Sequence, residues 1–297
     1  MTLTTSKPSA VRPIALGTAA VSAALPGVAA AQSEAISSAN PSANFQITVD
    51  AGAAYSQFSD DLVSETQGKY GEPGRDSGFY GSIKASRAIN NNWDWSVGAT
   101  YLGFGSNNSS RSDLFFTFDF DSALSASTLD FDVGRSWQIG AGNVRIGLGL
   151  QGGQMDQKFN HSATDKFGNS VTYPSDTSFE GFGPKLEVSF DQRLKPQSPF
   201  TIFGSLGASS LSGDFTTDKG FLGGGKQSDK GQLNIGTLVL GMGYQQDEST
   251  TFRFGLRADE FTMVGMDNVG ANSFYDDWVA DENVSATTAF VGVDVKF

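Results

Sequence analysis

The chain has 297 residues, no cysteine, 20 basic and 32 acidic residues and a net charge of −12. Such an acidic chain, without stripes of Lys and Arg, argues against nucleic acid as a partner, because phosphates require clustered positive charge. The lack of cysteine excludes disulfides, thiol chemistry and cysteine-based metal sites. Burial and hydrogen bonding alone must therefore hold the fold.

Residues 1–31 have the pattern of a secretory signal peptide. Lys7 and Arg12 precede an apolar run of small residues, and an Ala-x-Ala pattern closes the segment. An uncleaved membrane anchor is the alternative, but Pro26 interrupts a run that would need about 20 apolar residues. Cleavage would leave one domain, residues 32–297, with 18 basic and 32 acidic residues and a net charge of −14.

After this segment, apolar and polar residues alternate along the chain in stretches of ten to sixteen residues. Strands of soluble sandwiches run to about five or six residues, whereas a strand tilted across a bilayer needs about 9 to 11. No stretch shows helical apolar spacing over three turns, so the chain is predicted to be all-β. The ten predicted strands are 44–57, 77–89, "NWDWSVGATYLGFG", 126–139, 143–156, 177–194, 199–213, 231–246, 250–262 and 284–297.

The connections between these strands fall into two alternating classes. Four are short turns, "NNN", "GAGN", "KPQSP" and "QQDES", and five run to roughly 14 to 23 residues. This layout is typical of a transmembrane antiparallel up-and-down β-barrel with short periplasmic turns and long extracellular loops. We predict ten strands, with eight or twelve as alternatives. The stretch "DLFFTFDFD" either extends a hairpin beyond the membrane or raises the number of strands to twelve. A soluble β-protein would not explain the signal, the long strands and the two connection classes together.

The chain ends in "TTAFVGVDVKF", whose alternation continues to the last residue. In a barrel the last strand pairs with the first and removes the open edge that lipid does not tolerate. The surrounding partner is then outer-membrane lipid, and the C-terminal strand is expected to engage the barrel-assembly machinery. Aromatic side chains prefer the membrane interface. The predicted periplasmic girdle and closing residue are Trp93, Trp95, Trp137, Phe200, Tyr244, Phe252 and Phe297.

Charged residues occupy the face that would line the lumen in eight of the ten predicted strands. Eight acids and seven bases share this face, which predicts paired charges that brace the barrel and leave a narrow path for small ions. An inert braced barrel that serves as a platform for its loops is the alternative. The predicted network consists of Asp50, Lys84, Asp94, Asp130, Asp132, Arg145, Lys185, Glu187, Asp191, Arg193, Arg253, Arg257, Asp259, Asp294 and Lys296.

Two blocks, "STLDFDVGRSWQIGAGNVRIGLGLQGG" and "FEGFGPKLEVSFDQRLKPQSPFTIFGSLGASSLSGDF", carry a family resemblance. They resemble the Legionella major outer membrane protein family of pore-forming barrels over residues 120–215. The resemblance implies passive pore formation or a surface role rather than a reaction. The residues that carry it are Gly134, Arg135, Gly181, Gly183, Pro184 and Lys185.

The long connections are acidic. The stretch "SDDLVSETQGKYGEPGRD" has five acids and two bases, and the last connection has acids without a base. Cation enrichment at a pore mouth or binding of divalent ions would use this charge. Solvated acidic loops are the alternative, and no spacing matches a calcium loop. The acids of the last connection are Asp267, Asp276, Asp277, Asp281 and Glu282.

An outer-membrane hydrolase is the competing class, and it depends on the single histidine, His161, which we predict to lie exposed in the third long loop. Omptin-like proteases use an Asp and a His two residues apart, but Phe159 and Ala163 stand at those positions. Adjacent Ser162 would project to the opposite side of a strand. We therefore predict no catalytic residues, no metal and no cofactor.

The predicted function is that of a narrow porin-like channel for ions or small solutes in the outer membrane of a Gram-negative bacterium. A non-conducting surface or adhesion barrel that works through its acidic extracellular loops is the alternative. Self-association into a homo-oligomer stays open.

Overall fold

The computed structural model describes residues 45–57, 75–112, 115–218, 226–264 and 283–297. These residues form ten antiparallel strands in one closed barrel, in which each strand pairs with its neighbours in chain order. Their bounds are Phe45–Gln57 (β1), Arg75–Ala88 (β2), Trp93–Ser112 (β3), Phe116–Ile139 (β4), Gly142–Asp165 (β5), Ser170–Arg193 (β6), Phe200–Asp218 (β7), Lys226–Gln245 (β8), Thr250–Val264 (β9) and Asn283–Lys296 (β10).

The barrel closes through β1 and β10. The two strands pair from Gln46 with Lys296 to Gln57 with Ser285. Beyond the last strand residue, the amide of Phe297 donates to the carbonyl of Phe45 at 2.9 Å. The predicted ten-strand up-and-down barrel and its closure are therefore confirmed.

The extracellular side differs from the prediction in one respect. Strands β3 to β8 have 19 to 24 residues, whereas β1, β2, β9 and β10 have 13 to 15. Two connections predicted as long loops are tall hairpins instead, with residues 113–115 and 166–169 between their strands. The stretch "DLFFTFDFD" lies mostly in β4, so it extends a hairpin, and the twelve-strand alternative is wrong.

The register separates two faces along every strand. Large apolar side chains on the outer face are exposed, as for Leu129 at 63%, Leu148 at 66% and Leu256 at 59%. Such a continuous apolar surface fits lipid rather than water. The opposite positions line the lumen, and most of them are buried.

Several sequence predictions lie outside the described residues. They are the signal peptide at 1–31, most of the first acidic connection at 58–74 and the last acidic connection at 265–282. Within the described part, no helix is long and apolar enough to cross a membrane.

Candidate functional site

The lumen brings most of the predicted charges together. The strand register places all fifteen on inward-facing positions, as in the pairs Asp50 with Ser82 and Asp94 with Gly134. Twelve of them pack into a cluster, named here the charged layer, on the side of the short turns. The charged layer consists of Asp50, Lys84, Asp94, Asp130, Asp132, Arg145, Lys185, Glu187, Arg253, Arg257, Asp259 and Asp294.

Arg145 joins the carboxylates of two neighbouring strands. Its Nη2 lies 2.6 Å from Asp94 Oδ1 and also binds Asp132 Oδ1. The other carboxylate oxygen of Asp132, Oδ2, accepts from Ser96 Oγ at 2.8 Å. A Cβ on Gly134 would overlap the guanidinium, and one on Gly147 would lie 2.6 Å from its Nη1. The two glycines therefore leave the space in which Arg145 reaches both acids. Gly134 is also one of the residues that carry the family resemblance.

One ion pair crosses the barrel. Lys84 Nζ on β2 lies 3.0 Å from Glu187 Oε1 on β6, although three strands separate β2 from β6 around the wall. Glu187 Oε2 also lies 2.9 Å from Lys185 Nζ, which reaches Asp130 Oδ2 at 2.9 Å. Because these four side chains are at most 35% exposed and each charge has an opposite partner, this chain of charges braces opposite walls.

Two arginines on β9 complete the layer. Arg253 Nη1 lies 3.3 Å from Asp294 and 3.5 Å from Asp50, and its guanidinium stacks 4.3 Å from the centre of the Phe203 ring. Arg257 Nε lies 2.7 Å from Asp259, and its guanidinium also faces Tyr80 on the far side of β1 and β10.

Three of the fifteen predicted residues lie apart from this cluster. Asp191, Arg193 and Lys296 are exposed at the end of the barrel that carries the short turns. Arg193 Nη2 donates to Gln245 Oε1 at 3.0 Å. These three residues border a periplasmic mouth rather than the lumen.

An apolar layer fills the lumen on the extracellular side of the charges, and the sequence analysis missed it. Its seventeen side chains are 0 to 7% exposed, and the Phe179 and Phe215 rings lie 4.7 Å apart. The sequence feature that could have predicted this layer is the presence of apolar residues on both faces of β7 and β8. Leu211 and Leu233, for example, are apolar residues on the inward face. The apolar layer consists of Ala54, Tyr80, Leu102, Phe104, Leu124, Ala126, Met155, Phe179, Leu211, Phe215, Leu233, Ile235, Phe261, Met263, Val284, Ala286 and Phe290.

A small polar chamber lies within the lumen beside the charged layer. Its volume is about 80 Å³, and hydroxyls of Thr128 and Thr237 line it with Gln151 and Lys185. Ser209 also lines it and is 9% exposed, and its Oγ has no hydrogen-bond partner among the described residues. A polar chamber of this size has room for water molecules.

The predicted girdle residues lie on the outer face at the short-turn end. The Phe200 and Tyr244 rings lie 5.4 Å apart, and the Arg135 guanidinium lies 5.2 Å from the Trp137 ring. Phe297 is 70% exposed and 6.2 Å from Phe45. Trp93, Trp95 and Phe252 occupy the same outer face. The girdle's role at the interface stays a prediction.

His161 lies in β5, where its backbone pairs with Phe120 and Tyr173, and not in a loop as predicted. The loop was a wrong interpretation because β5 continues far beyond the membrane. The histidine side chain lies outside what the structure describes. Among the described residues, no group of three or more Asp, Glu, His or Cys could hold a metal ion.

Comparison with protein families agrees with this architecture. Residues 43–247 match the model of the Legionella pneumophila major outer membrane protein precursor. The chain belongs to this family. The resemblance seen in the sequence is thereby confirmed, and the family places the barrel in the outer membrane. No curated protein matches the chain.

A solved structure shares this fold, and two further outer-membrane proteins align with lower scores. The outer membrane protease OmpT from Escherichia coli aligns with a TM-score of 0.51 at 10% identity, over 86% of this chain and 96% of OmpT. A major outer membrane protein from Thermus thermophilus aligns with a TM-score of 0.38 at 14% identity, over 86% of this chain and all of that chain, 100%. Neisserial surface protein A aligns with a TM-score of 0.33 at 15% identity, over 85% and 97% of the two chains. At these identities the likeness to OmpT concerns the fold alone.

Proposed function

We propose that this protein is a barrel with a closed lumen that works at the cell surface. The observation that carries the proposal is the apolar layer, because a path for hydrated ions would have to cross side chains such as Leu211 and Phe215, both 0% exposed. Hydrated ions avoid such surfaces, since dehydration of a charge in an apolar medium is costly. Beneath it, the Lys84–Glu187 pair divides the charged layer.

The surface role rests on the tall hairpins. Strands β4, β5 and β6 have 24 residues each, about twice the 9 to 11 that cross a bilayer. Their outer ends therefore stand in the extracellular space as a continuous antiparallel sheet, held by paired backbone up to Phe116 with Asp165. A rigid sheet of this kind presents residues to a partner, which the charged and apolar layers do not do.

Solute flux into proteoliposomes tests this proposal. Liposomes that contain the mature barrel should not swell in an osmotic gradient of small sugars. A Phe179→Ala, Phe215→Ala variant removes the two contacting rings of the apolar layer and should admit more solute than the wild type. Swelling of wild-type liposomes at the rate of an open porin would contradict the proposal.

A gated channel is the second candidate, and the polar chamber favours it. Water in the chamber would wet the lumen between the charges, and movement of the apolar layer would then complete a path. Swelling that begins only above a threshold voltage or pH would support this candidate.

We also propose that the protein has no catalytic activity, that residues 1–31 are cleaved, and that the last strand engages the assembly machinery. Peptide or lipid hydrolysis by purified protein that His161→Ala abolishes would contradict the first of these. An N-terminal sequence of the purified protein that begins before residue 32 would contradict the second.

A further inference from the structure

The membrane-distal end of the sheet carries an exposed aromatic surface. Phe115 and Phe116 lie at the β3–β4 connection, and Phe167 lies at the β5–β6 turn. Their exposed fractions are 58%, 45% and 79%, and Val171 near the start of β6 is 40% exposed. We name Phe115, Phe116, Lys166, Phe167 and Val171 the tip surface. Contiguous exposed apolar side chains of this size mark interaction sites.

The tip surface is held in place by its own hydrogen bonds. Asp165 Oδ1 accepts from the amides of Phe167 at 2.8 Å and Asn169 at 2.9 Å, and its Oδ2 accepts from Asn169 Nδ2 at 2.8 Å. Lys166 donates its amide to the Phe115 carbonyl at 3.1 Å, which joins the two hairpin ends. Phe167 is therefore presented on a fixed turn.

One cation lies among the rings. Lys166 Nζ is 5.6 Å from the centre of the Phe115 ring and 5.1 Å from that of Phe167. Lys166 is the charged residue of the tip surface, and the formal charge of Asp165, next to it in the chain, offsets it locally, whereas the mature chain carries a net charge of −14. An anionic surface is repelled by the protein as a whole, and a neutral one is not.

Chemistry and position together define the partner. Asp165, the last residue of β5, lies thirteen residues after Gly152, which is about 40 Å along the strand. The tip surface next to Asp165 therefore faces away from the membrane that holds the barrel. A zwitterionic phosphocholine headgroup offers a quaternary ammonium, which aromatic rings attract, and a phosphate, which a lysine attracts. Phenylalanine rings also partition into the boundary between headgroups and acyl chains.

We infer that the tip surface binds the phosphocholine surface of an opposing bilayer. Phe115, Phe116 and Phe167 enter the headgroup boundary, and Lys166 stays at the level of the phosphates. This inference deepens the proposed surface function and rests on it.

Vesicle flotation tests the inference with the full mature barrel held in amphipol. Wild-type protein should float with phosphatidylcholine vesicles and less with vesicles rich in phosphatidylserine. The Phe115→Ser, Phe167→Ser variant should bind phosphatidylcholine roughly tenfold or more weakly, because each ring loses burial in the boundary. Ile89→Ser is the matched control, because Ile89 is also an exposed apolar residue, at 58%, but lies at a periplasmic turn. A heat-shift gel checks that every variant is folded.

A site-specific probe gives a second readout. The chain has no cysteine, so Phe167→Cys can be labelled with an environment-sensitive dye without background. Its emission should shift to the blue on addition of phosphatidylcholine vesicles.

Several outcomes would overturn the inference. They are no flotation of the wild type with phosphatidylcholine, equal flotation of the double variant, loss of flotation with Ile89→Ser, or preference for phosphatidylserine. Association of two copies through the tip surface without vesicles would overturn it in favour of a second copy. Solute flux through the same preparation would contradict only the proposal of a closed lumen. A positive flotation result would still support binding by the tip surface.

Discussion

At the scale of single residues, the packing around Arg145 depends on small neighbours. Gly147→Ala places a methyl group 2.6 Å from Arg145 Nη1 and 3.1 Å from Asp132 Oδ1. The guanidinium must move away from at least one of its acids, and we expect a loss of about 1–3 kcal/mol in the free energy of unfolding. Urea unfolding in micelles should report a lower midpoint with an unchanged slope.

Gly152→Ala is the control for this prediction on the same strand. The nearest atom to its added methyl group is the Gly181 carbonyl oxygen at 3.9 Å, so no neighbour has to move. Equal destabilisation by both substitutions would show that the cost comes from the strand backbone and not from the charged layer.

Asp165 should make the tip turn sensitive to pH. Its hydrogen bond from the Asn169 side chain lowers the pKa of the carboxyl below the ordinary value of 3.8. A lowered pKa means that the carboxylate stabilises the turn above the ordinary pKa and that this stabilisation is lost as pH falls through the folded value. NMR titration of the Asp165 carboxyl carbon should therefore give a pKa below 3.8.

Hydrogen exchange gives the matching observation. Protection of the Phe167 amide should fall at acid pH in the wild type and should be low at every pH in Asp165→Ala, which removes the acceptor oxygen. A pKa at or above the ordinary value, or protection that does not depend on pH in the wild type, would contradict this assignment.

At the scale of strands, we expect the last residue to affect assembly more than packing. Phe297 is 70% exposed, so its deletion removes little buried area, but it removes a backbone hydrogen bond to Phe45 and the end of the closing strand. We expect less protein in the outer membrane, while the fraction that assembles keeps its melting temperature. Membrane fractionation with a heat-shift gel measures both quantities.

Phe252→Ser serves as the matched girdle variant, because Phe252 is an outward aromatic at the same end and 48% exposed. It should assemble normally. An equal loss in both variants would assign the effect to the girdle and not to the C-terminal strand.

The sequence predicted the strands well where lipid dictates their pattern. In β3, one face of the strand meets lipid and the other faces the lumen. This is why the apolar residues Trp93, Trp95, Val97 and Ala99 alternate with Asp94, Ser96 and Gly98. Beyond the membrane the outer face meets water, so that constraint disappears, and the ends of β4, β5 and β6 were read as loops. The turn at Gly168, with φ of +85°, marks the true hairpin end, and Asp165 and Asn169 around it were an available signal.

At the scale of the whole molecule, the lumen could be predicted in part. The inward position of the charges followed from strand parity, but the partner of each charge did not. Lys84 meets Glu187 across 103 positions of sequence, a contact that depends on the closure and tilt of the barrel. The apolar layer was not predicted, because apolar residues on both faces of β7 and β8 hide which face lines the lumen.

Two layers with different chemistry explain how one lumen can be both stable and closed. The charged layer links opposite walls near the short turns, and we propose that the apolar layer excludes water toward the outside. A ten-strand barrel is close to the size at which side chains fill the interior. The tall hairpins then carry the contacts with the surroundings.

The most direct measurement is ionic current through planar bilayers that contain the purified mature barrel in potassium chloride. We predict no discrete steps for the wild type and a measurable leak for Phe179→Ala, Phe215→Ala, with a heat-shift gel to show that both are folded. Discrete wild-type steps, unchanged by removal of these two rings, would contradict the closed lumen.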